Sequence, residues 1–410
     1  MTFSRAVSFV NGRVMAEGGT TDSVRFASRI VALGDRPRSR DLVVDLRGSF
    51  VLPGFVNAHD HLELNHYGRL KSRERYANAT QWIDDMRPRL SEDPAIVAGR
   101  SYPLAERLFA GALKNLLSGV TLVAHHNPYY ADFRCGVPVR VLRRYGWAHS
   151  FALERQPAGA RGEMGGGIAA RWRTTPSTAP FFVHLAEGVD AAAGGELARL
   201  ESLGCLKPNT VIVHGVAIDD EGWRRVAANG AAFVWCPASN FFLFGRTAAM
   251  SDLLRNTERP RIAIGTDSRI TGTRDLLDEL RVARSAAPLS ASELLAMATR
   301  DAADVLREPR AGRIAVGLPA DLVVVPPLAP SAGESVLEAS RKDLQLVAIG
   351  GGPLLGDPDF AADVFAARRV AALPLTVDGA EKLAAASLVK RISGCPIQEP
   401  GVTTTASVRV

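Results

Sequence analysis

The sequence predicts an α/β fold: a (β/α)8 barrel over residues 53–314, with a small discontinuous β-sandwich built from residues 1–52 and 315–375. Three observations lead there. The middle of the chain alternates short apolar runs with helical stretches, the pattern of a parallel sheet buried on both faces. The length from Pro53 to about Arg313 suits a closed barrel, for which about 250 residues is typical. Strand-and-turn segments bracket that middle region on both sides, and residues 376–410 are expected as a C-terminal extension.

The opening residues read as strands at Ala6–Val10, Arg13–Met15, Val24–Phe26, Ile30–Leu33 and Leu42–Leu46. Barrel strands are expected at Phe55–Ala58, Thr121–Ala124, Trp147–Leu153, Phe181–Val183, Val211–Val213, Ala232–Trp235 and Ile262–Gly265. Helices are expected at Tyr102–Leu117, Leu253–Asn256, Leu276–Ala286 and Ala291–Leu306. Beyond the barrel, Gly312–Val325 reads as a turn feeding a strand, with further strands at Leu344–Ile349 and Arg369–Ala371. No apolar strand leads into the Gly-rich stretch Gly159–Gly167, which rules out a dinucleotide fingerprint there. It is expected as a mobile loop over the barrel mouth. The last fifteen residues read as a peripheral tail.

Composition narrows the function classes. A hydrophobic content of 47% with 22% charged residues is ordinary for a globular protein of 410 residues. The net charge of +6 is spread over scattered arginines such as Arg143-Arg144, Arg224-Arg225 and Arg368-Arg369. No dense basic block stands out, which argues against nucleic-acid binding. No apolar run reaches membrane-spanning length, and no signal pattern opens the chain. Cys135, Cys205, Cys236 and Cys395 show no metal spacing and no disulfide framework, consistent with a reducing cytoplasm.

The chemistry starts at Val51-Leu-Pro-Gly-Phe-Val-Asn-Ala-His-Asp-His-Leu62. Side chains two apart on a strand share a face, so His59 and His61 can converge on one point. Of the eight histidines, His184 and His214 also end apolar strands, and Asp267 follows Ile262-Ala-Ile-Gly-Thr266. Strand ends gather at the mouth of a (β/α)8 barrel. Ligands distant in sequence can pool there, and three imidazoles with one carboxylate hold a divalent ion with a position open for water. Singly, each residue admits an ordinary role: His184 or His214 as a bonded core histidine, Asp267 as a helix cap, Glu187 as the start of a surface helix. Their joint placement at successive strand ends favours a site.

The chain resembles the amidohydrolase superfamily, in the branch of cytosine deaminase, guanine deaminase, S-adenosylhomocysteine deaminase and the triazine hydrolases. The resemblance runs from about Gly12 to Val325. Its marks are Leu-Pro-Gly-Phe-Val-Asn-Ala-His59-Asp-His61, Trp82 with Pro88, Leu-Leu-Ser-Gly119-Val-Thr121 and His184-Leu-Ala-Glu187. His214 with Asp219-Asp220-Glu221, Cys236-Pro-Ala-Ser-Asn240, Gly265-Thr-Asp267-Ser and Gly312-Arg-Ile with Gly317-Leu-Pro-Ala-Asp321 complete them. The resemblance implies a TIM-like metal-dependent hydrolase barrel in which His59, His61, His184 and Asp267 bind one divalent ion, Zn2+ ahead of Fe2+. Many members bridge two metals with a carbamylated lysine, but no lysine occurs between Lys114 and Lys207, so a mononuclear site follows.

A bound divalent ion lowers the pKa of its water from about 16 to about 7. The resemblance then assigns Asp267 as proton acceptor, His214 as the orienting group and Glu187 as the shuttle that protonates a ring nitrogen and then the leaving amine. This implies an aminohydrolase acting on a purine, pterin, pyrimidine or triazine-like N-heterocycle. The alternatives are hydrolysis of a cyclic amide, imidazolone or halide on the same scaffold and, more remotely, a non-catalytic binding subunit. His125, His126, His66, Arg69 and Asn240 are candidate substrate contacts, with anchoring of the loop after the seventh strand the favoured role for Asn240. His149 is expected as a satisfied interior histidine. A small-molecule substrate, a cytoplasmic location and a homodimer, with neither nucleic acid nor membrane as partner, complete the expectation.

Overall fold

The computed structural model describes residues 5–151, 153, 167–255 and 257–404; the Gly-rich segment up to residue 166 and residues 405–410 lie outside them. Among the described residues, eight parallel strands run through the middle of the chain. They are β1 (Phe55–Asp60), β2 (Val120–His125), β3 (Arg140–Val141), β4 (Gly146–Ala148), β5 (Phe181–Leu185), β6 (Thr210–His214), β7 (Ala232–Trp235) and β8 (Arg261–Ile264). They form two sheets in chain order, β1 to β3 and β4 to β8. β1, β2, β5, β6 and β7 are buried along their whole length, which is why they read as apolar runs without alternation. The chain leaving β8 returns to β1, where the Asp267 N–H donates to His59 O at 3.1 Å. A Cβ on Gly265 would sit 2.7 Å from the His59 Cβ, so only glycine allows that approach.

The expected helix at Tyr102–Leu117 spans Leu104–Leu117, starting after Pro103, and Leu276–Ala286 keeps its bounds. The Leu276 helix starts where the Asp275 carboxylate accepts from the N–H groups of Leu277 and Asp278. Other expectations need correction. The Ala291–Leu306 stretch is two helices, Ala291–Met297 and Arg300–Val305, because Thr299 leaves helical geometry at φ −135° and ψ −102°. The Trp147–Leu153 strand is only Gly146–Ala148, and β3 had no sequence signal because two residues show no period. A short 3-10 turn, Ala131–Arg134, precedes β3, and residues 142–145 alone link β3 to β4.

Both chain ends build mixed sheets beside these strands. One has the order Ile30–Leu33, Val24–Phe26, Val7–Val10, Leu42–Asp45. The other has nine strands, in which Phe50–Pro53 pairs antiparallel with Leu322–Val325 and parallel with Arg13–Ala16. It continues past residue 375 through Ala380–Ala385 and Ala372–Val377 to Val402–Thr404. Residues 396–404 are therefore no peripheral tail. Glu399 is buried and accepts from both Arg269 nitrogens, at 2.8 and 2.6 Å, and from Arg341 Nη1 at 2.6 Å. Arg269 stands two residues from Asp267, so this C-terminal strap clamps the segment that leaves β8.

Replacing Glu399 with Ala leaves two buried guanidiniums without that carboxylate. A loss of about 3–5 kcal/mol is expected, read as a lower urea midpoint with an unchanged slope. An unshifted midpoint would show that the strap contributes nothing to stability.

Candidate metal centre and active site

The strand ends bring the sequence-predicted residues together. His59 lies in β1 and His61 just past it, His184 lies in β5, His214 closes β6, and Asp267 follows β8. All five are at least nine-tenths buried. His59 Nε2 is 3.2 Å from His184 Nε2 and 4.0 Å from Asp267 Oδ1; His61 Nε2 is 3.7 Å from the same oxygen. His59, His184 and His214 form a second cluster with ligand atoms within 4.8 Å of one another. Three residues here, Ala186 (φ 53°), His214 (φ 76°) and Asp267 (φ 51°), hold the left-handed conformation without being glycine. Such strain, about 1–3 kcal/mol per residue, persists where surrounding structure enforces it, characteristically at functional sites.

Electrostatics set the protonation states. Burial, reinforced by the neighbouring imidazoles, holds His59 and His184 well below the usual histidine range, so both are neutral, the ligating form. Burial works to raise Asp267, but His61, His214, His184 and the Ser239 hydroxyl outweigh it and hold its carboxyl down at about 2. Its Oδ2 accepts from Ser239 and Thr271, each at 2.8 Å, and its Oδ1 faces the histidines. Glu187 goes the other way: burial lifts it to about 7, helped by the Asp267 charge and opposed by His214. Its Oε1 lies 3.7 Å from His214 Nε2, while His214 Nδ1 is held by Asn240 Oδ1 at 2.9 Å.

The donor set fits a divalent cation. Two neutral ring nitrogens 3.2 Å apart are close to the separation of about 3.3 Å that tetrahedral zinc–imidazole bonds impose. His59, His61, His184 and the ionised Asp267 present nitrogen and oxygen donors of the kind zinc takes.

Beneath the cluster lies a network that sequence reasoning missed. Lys114 and Asp60, both fully buried, pair at 3.2 Å. Lys114 Nζ also donates to Asn65 Oδ1 (2.8 Å), Thr266 Oγ1 (3.1 Å) and Asp267 O (3.3 Å). Asp60 accepts further bonds from Asn65 and Asn115, at 2.7 and 2.8 Å. A lysine on the buried face of the Leu104–Leu117 helix was the available signal.

The weaker candidates separate. The His126 ring stacks on His184 with centroids 4.1 Å apart. His125 packs on Phe133 and Tyr130, with Nδ1 3.7 Å from a Glu63 carboxylate that also holds Asn127. His66 contacts Gly99 O at 3.1 Å and Arg69 donates to Gly272 O at 2.9 Å; both line a different cavity of about 370 Å³, with Arg269 and Glu399. Asn240 belongs to the helix Pro237–Phe244, not to a loop, and acts on His214. His149 falls just past β4, not on it, and its contacts among the described residues are with the rings of Trp147, His126 and His184.

Comparison with known proteins agrees with this geometry. The amidohydrolase family model matches residues 182–354, which include His184, Glu187, His214 and Asp267. The 5'-deoxyadenosine deaminase of Methanobrevibacter smithii is 24% identical over 70% of this chain and 74% of that protein. The chain is similar to the amidohydrolase family over residues 182–354. Among solved structures, this chain superposes on an adenosine deaminase from Xanthomonas campestris with bound zinc. That match has a TM-score of 0.67 at 20% identity and covers 90% of this chain and 97% of the other. Atrazine chlorohydrolase from Arthrobacter aurescens complexed with zinc gives 0.67 at 18% identity, covering 88% and 100%. At such identities these likenesses speak for the fold.

The buried ammonium ties together the segments that carry His59, His61 and Asp267, so Lys114→Met should loosen the candidate centre. Zinc affinity, read by chelator competition, should fall roughly 10–100-fold, the scale of an outer-shell loss. Unchanged affinity in a folded variant would disconnect the network from the centre.

Proposed function

We propose that this protein is a metal-dependent aminohydrolase that releases ammonia from an adenosine-type N-heterocycle. The observation that carries the reading is the pair of buried carboxyls with opposed affinities for protons, Asp267 at about 2 and Glu187 at about 7, flanking one histidine cluster. A base and an acid at neutral pH are what C–N hydrolysis on an amidine-like carbon needs. One divalent ion held by His59, His61, His184 and Asp267, zinc ahead of iron, would supply a water that ionises near neutrality. Asp267 Oδ1, ionised, accepts a proton from the attacking water. Glu187, protonated, donates to the ring nitrogen beside the reacting carbon, which makes that carbon electrophilic. His214, anchored through Nδ1 by Asn240, presents Nε2 toward the attacking group. The proton taken from water by Asp267 then leaves with the amine as ammonia, and the remaining hydroxyl proton returns to Glu187 as the ring carbon keeps the oxygen as a carbonyl.

Support for the substrate class comes from the relatives, named as deaminases of 5'-deoxyadenosine and of 5-methylthioadenosine/S-adenosylhomocysteine. The same reading takes the eight parallel strands as a closed (β/α)8 barrel over residues 53–314, joined where Asp267 N meets His59 O, with the flanking sheets as a β-sandwich.

The test is ammonia release by zinc-loaded protein from adenosine, 5'-deoxyadenosine, 5'-methylthioadenosine, aminopterins, aminopyrimidines and amino- and chlorotriazines. Activity on an adenosine-type compound, abolished in Asp267→Asn, is the expected result. Chloride release without ammonia would replace this reading with the halide one. Glu187→Gln should lower kcat about 10²–10⁴-fold.

The pH profile offers a separate check. Glu187 is protonated below about 7 and must donate, so kcat/KM should fall as pH rises through that value. A Glu187→Gln profile that keeps the same alkaline limb would assign the limb to another group.

A further inference from the structure

A third trio of imidazoles stands beside the two that make the centre. Ring nitrogens of His126, His149 and His184 lie within 4.8 Å of one another. His126 directly follows β2, and its Nε2 lies 2.9 Å from Ala148 O. A carbonyl only accepts, so Nε2 carries the proton and Nδ1 keeps a lone pair. That Nδ1 is buried and has no partner among the described residues. An unpaired buried acceptor is costly, and one ring nitrogen pinned on a carbonyl with the other left free is how a metal-ligating histidine is prepared. His149 is part-buried, its ring against those of His126 and His184.

His184 belongs to two groups at once. Its Nε2 faces His59 Nε2 at 3.2 Å, while its ring lies against His126 at 4.1 Å with an interplanar angle of 26°. One ring cannot serve both groups equally, so a cation held with His126 and His149 competes with His59 for His184.

We propose that His126, His149 and His184 form a second, weaker site for a borderline divalent cation such as Zn2+, whose filling withdraws His184 from the catalytic centre. The site draws on the ends of β2, β4 and β5, and it needs no bridging lysine. Three imidazoles suit zinc and copper over calcium or magnesium, which take oxygen donors. Its consequence is inhibition by excess zinc, and it rests on the reading of the first site as a metal centre.

The experiment is zinc binding to the metal-free full chain by equilibrium dialysis, with ammonia release followed in parallel. Wild type should bind one tight equivalent and then a weaker second, with activity falling as the second fills. His149→Gln and His126→Gln should keep the tight equivalent, which reports that they fold, and should weaken the second by roughly tenfold or more. A tight first equivalent with no second, or a second that neither variant weakens, overturns this proposal alone. The absence of any tight equivalent overturns both this proposal and the metal-centre reading.

Discussion

The buried pair of Lys114 and Asp60 is the constraint on which the centre depends. Asp60 stands between His59 and His61, and the period of a strand sends its side chain to the opposite face from theirs. There it meets an ammonium from the Leu104–Leu117 helix that also holds Thr266 and the Asp267 carbonyl. One cation thus joins the end of β1, the following helix and the segment after β8. Removing a charge from water is expensive, and a buried pair is poor evidence of net stability. Its effect here is geometric: Lys114 bonds Asp60, Asn65, Thr266 and the Asp267 carbonyl, which ties together the segments that carry His59, His61 and Asp267.

The clamp continues outward. Arg269 binds Asn65 O and the C-terminal Glu399, and Arg341 binds that same carboxylate together with Asp378. Segments from the C-terminal part of the chain therefore close behind the loop that carries Asp267. Strain at Ala186, His214 and Asp267 is held in place by this surrounding framework, and it aims side chains that relaxed strand ends would direct elsewhere.

Two carboxyls a few residues from the same histidines carry opposite proton affinities because their neighbours differ. Asp267 is surrounded by imidazoles and hydroxyl donors that stabilise its charge. Glu187 is buried with only His214 to compensate. That separation is what the proposed pairing of Asp267 as base with Glu187 as acid rests on.

Much of this was legible in the chain itself. Apolar runs ending in His59, His184 and His214 announce parallel strands and their functional ends, because a strand buried on both faces must be apolar until it reaches the mouth. The paired spacing of His59 and His61 follows from the two-residue period of a strand. Other features came only with the tertiary structure. Arg140–Val141 is too short to show a period, and Val402–Thr404 is a strand only through its pairing with Leu375–Val377. Asn240 reveals its hold on His214, Lys114 its hold on Asp60, and His126 its stacking on His184 only once distant strands and helices are side by side. Local sequence determined which residues sit at strand ends; contacts between distant segments decided which way they point and what charge they carry, since burial and neighbouring dipoles belong to the assembled fold.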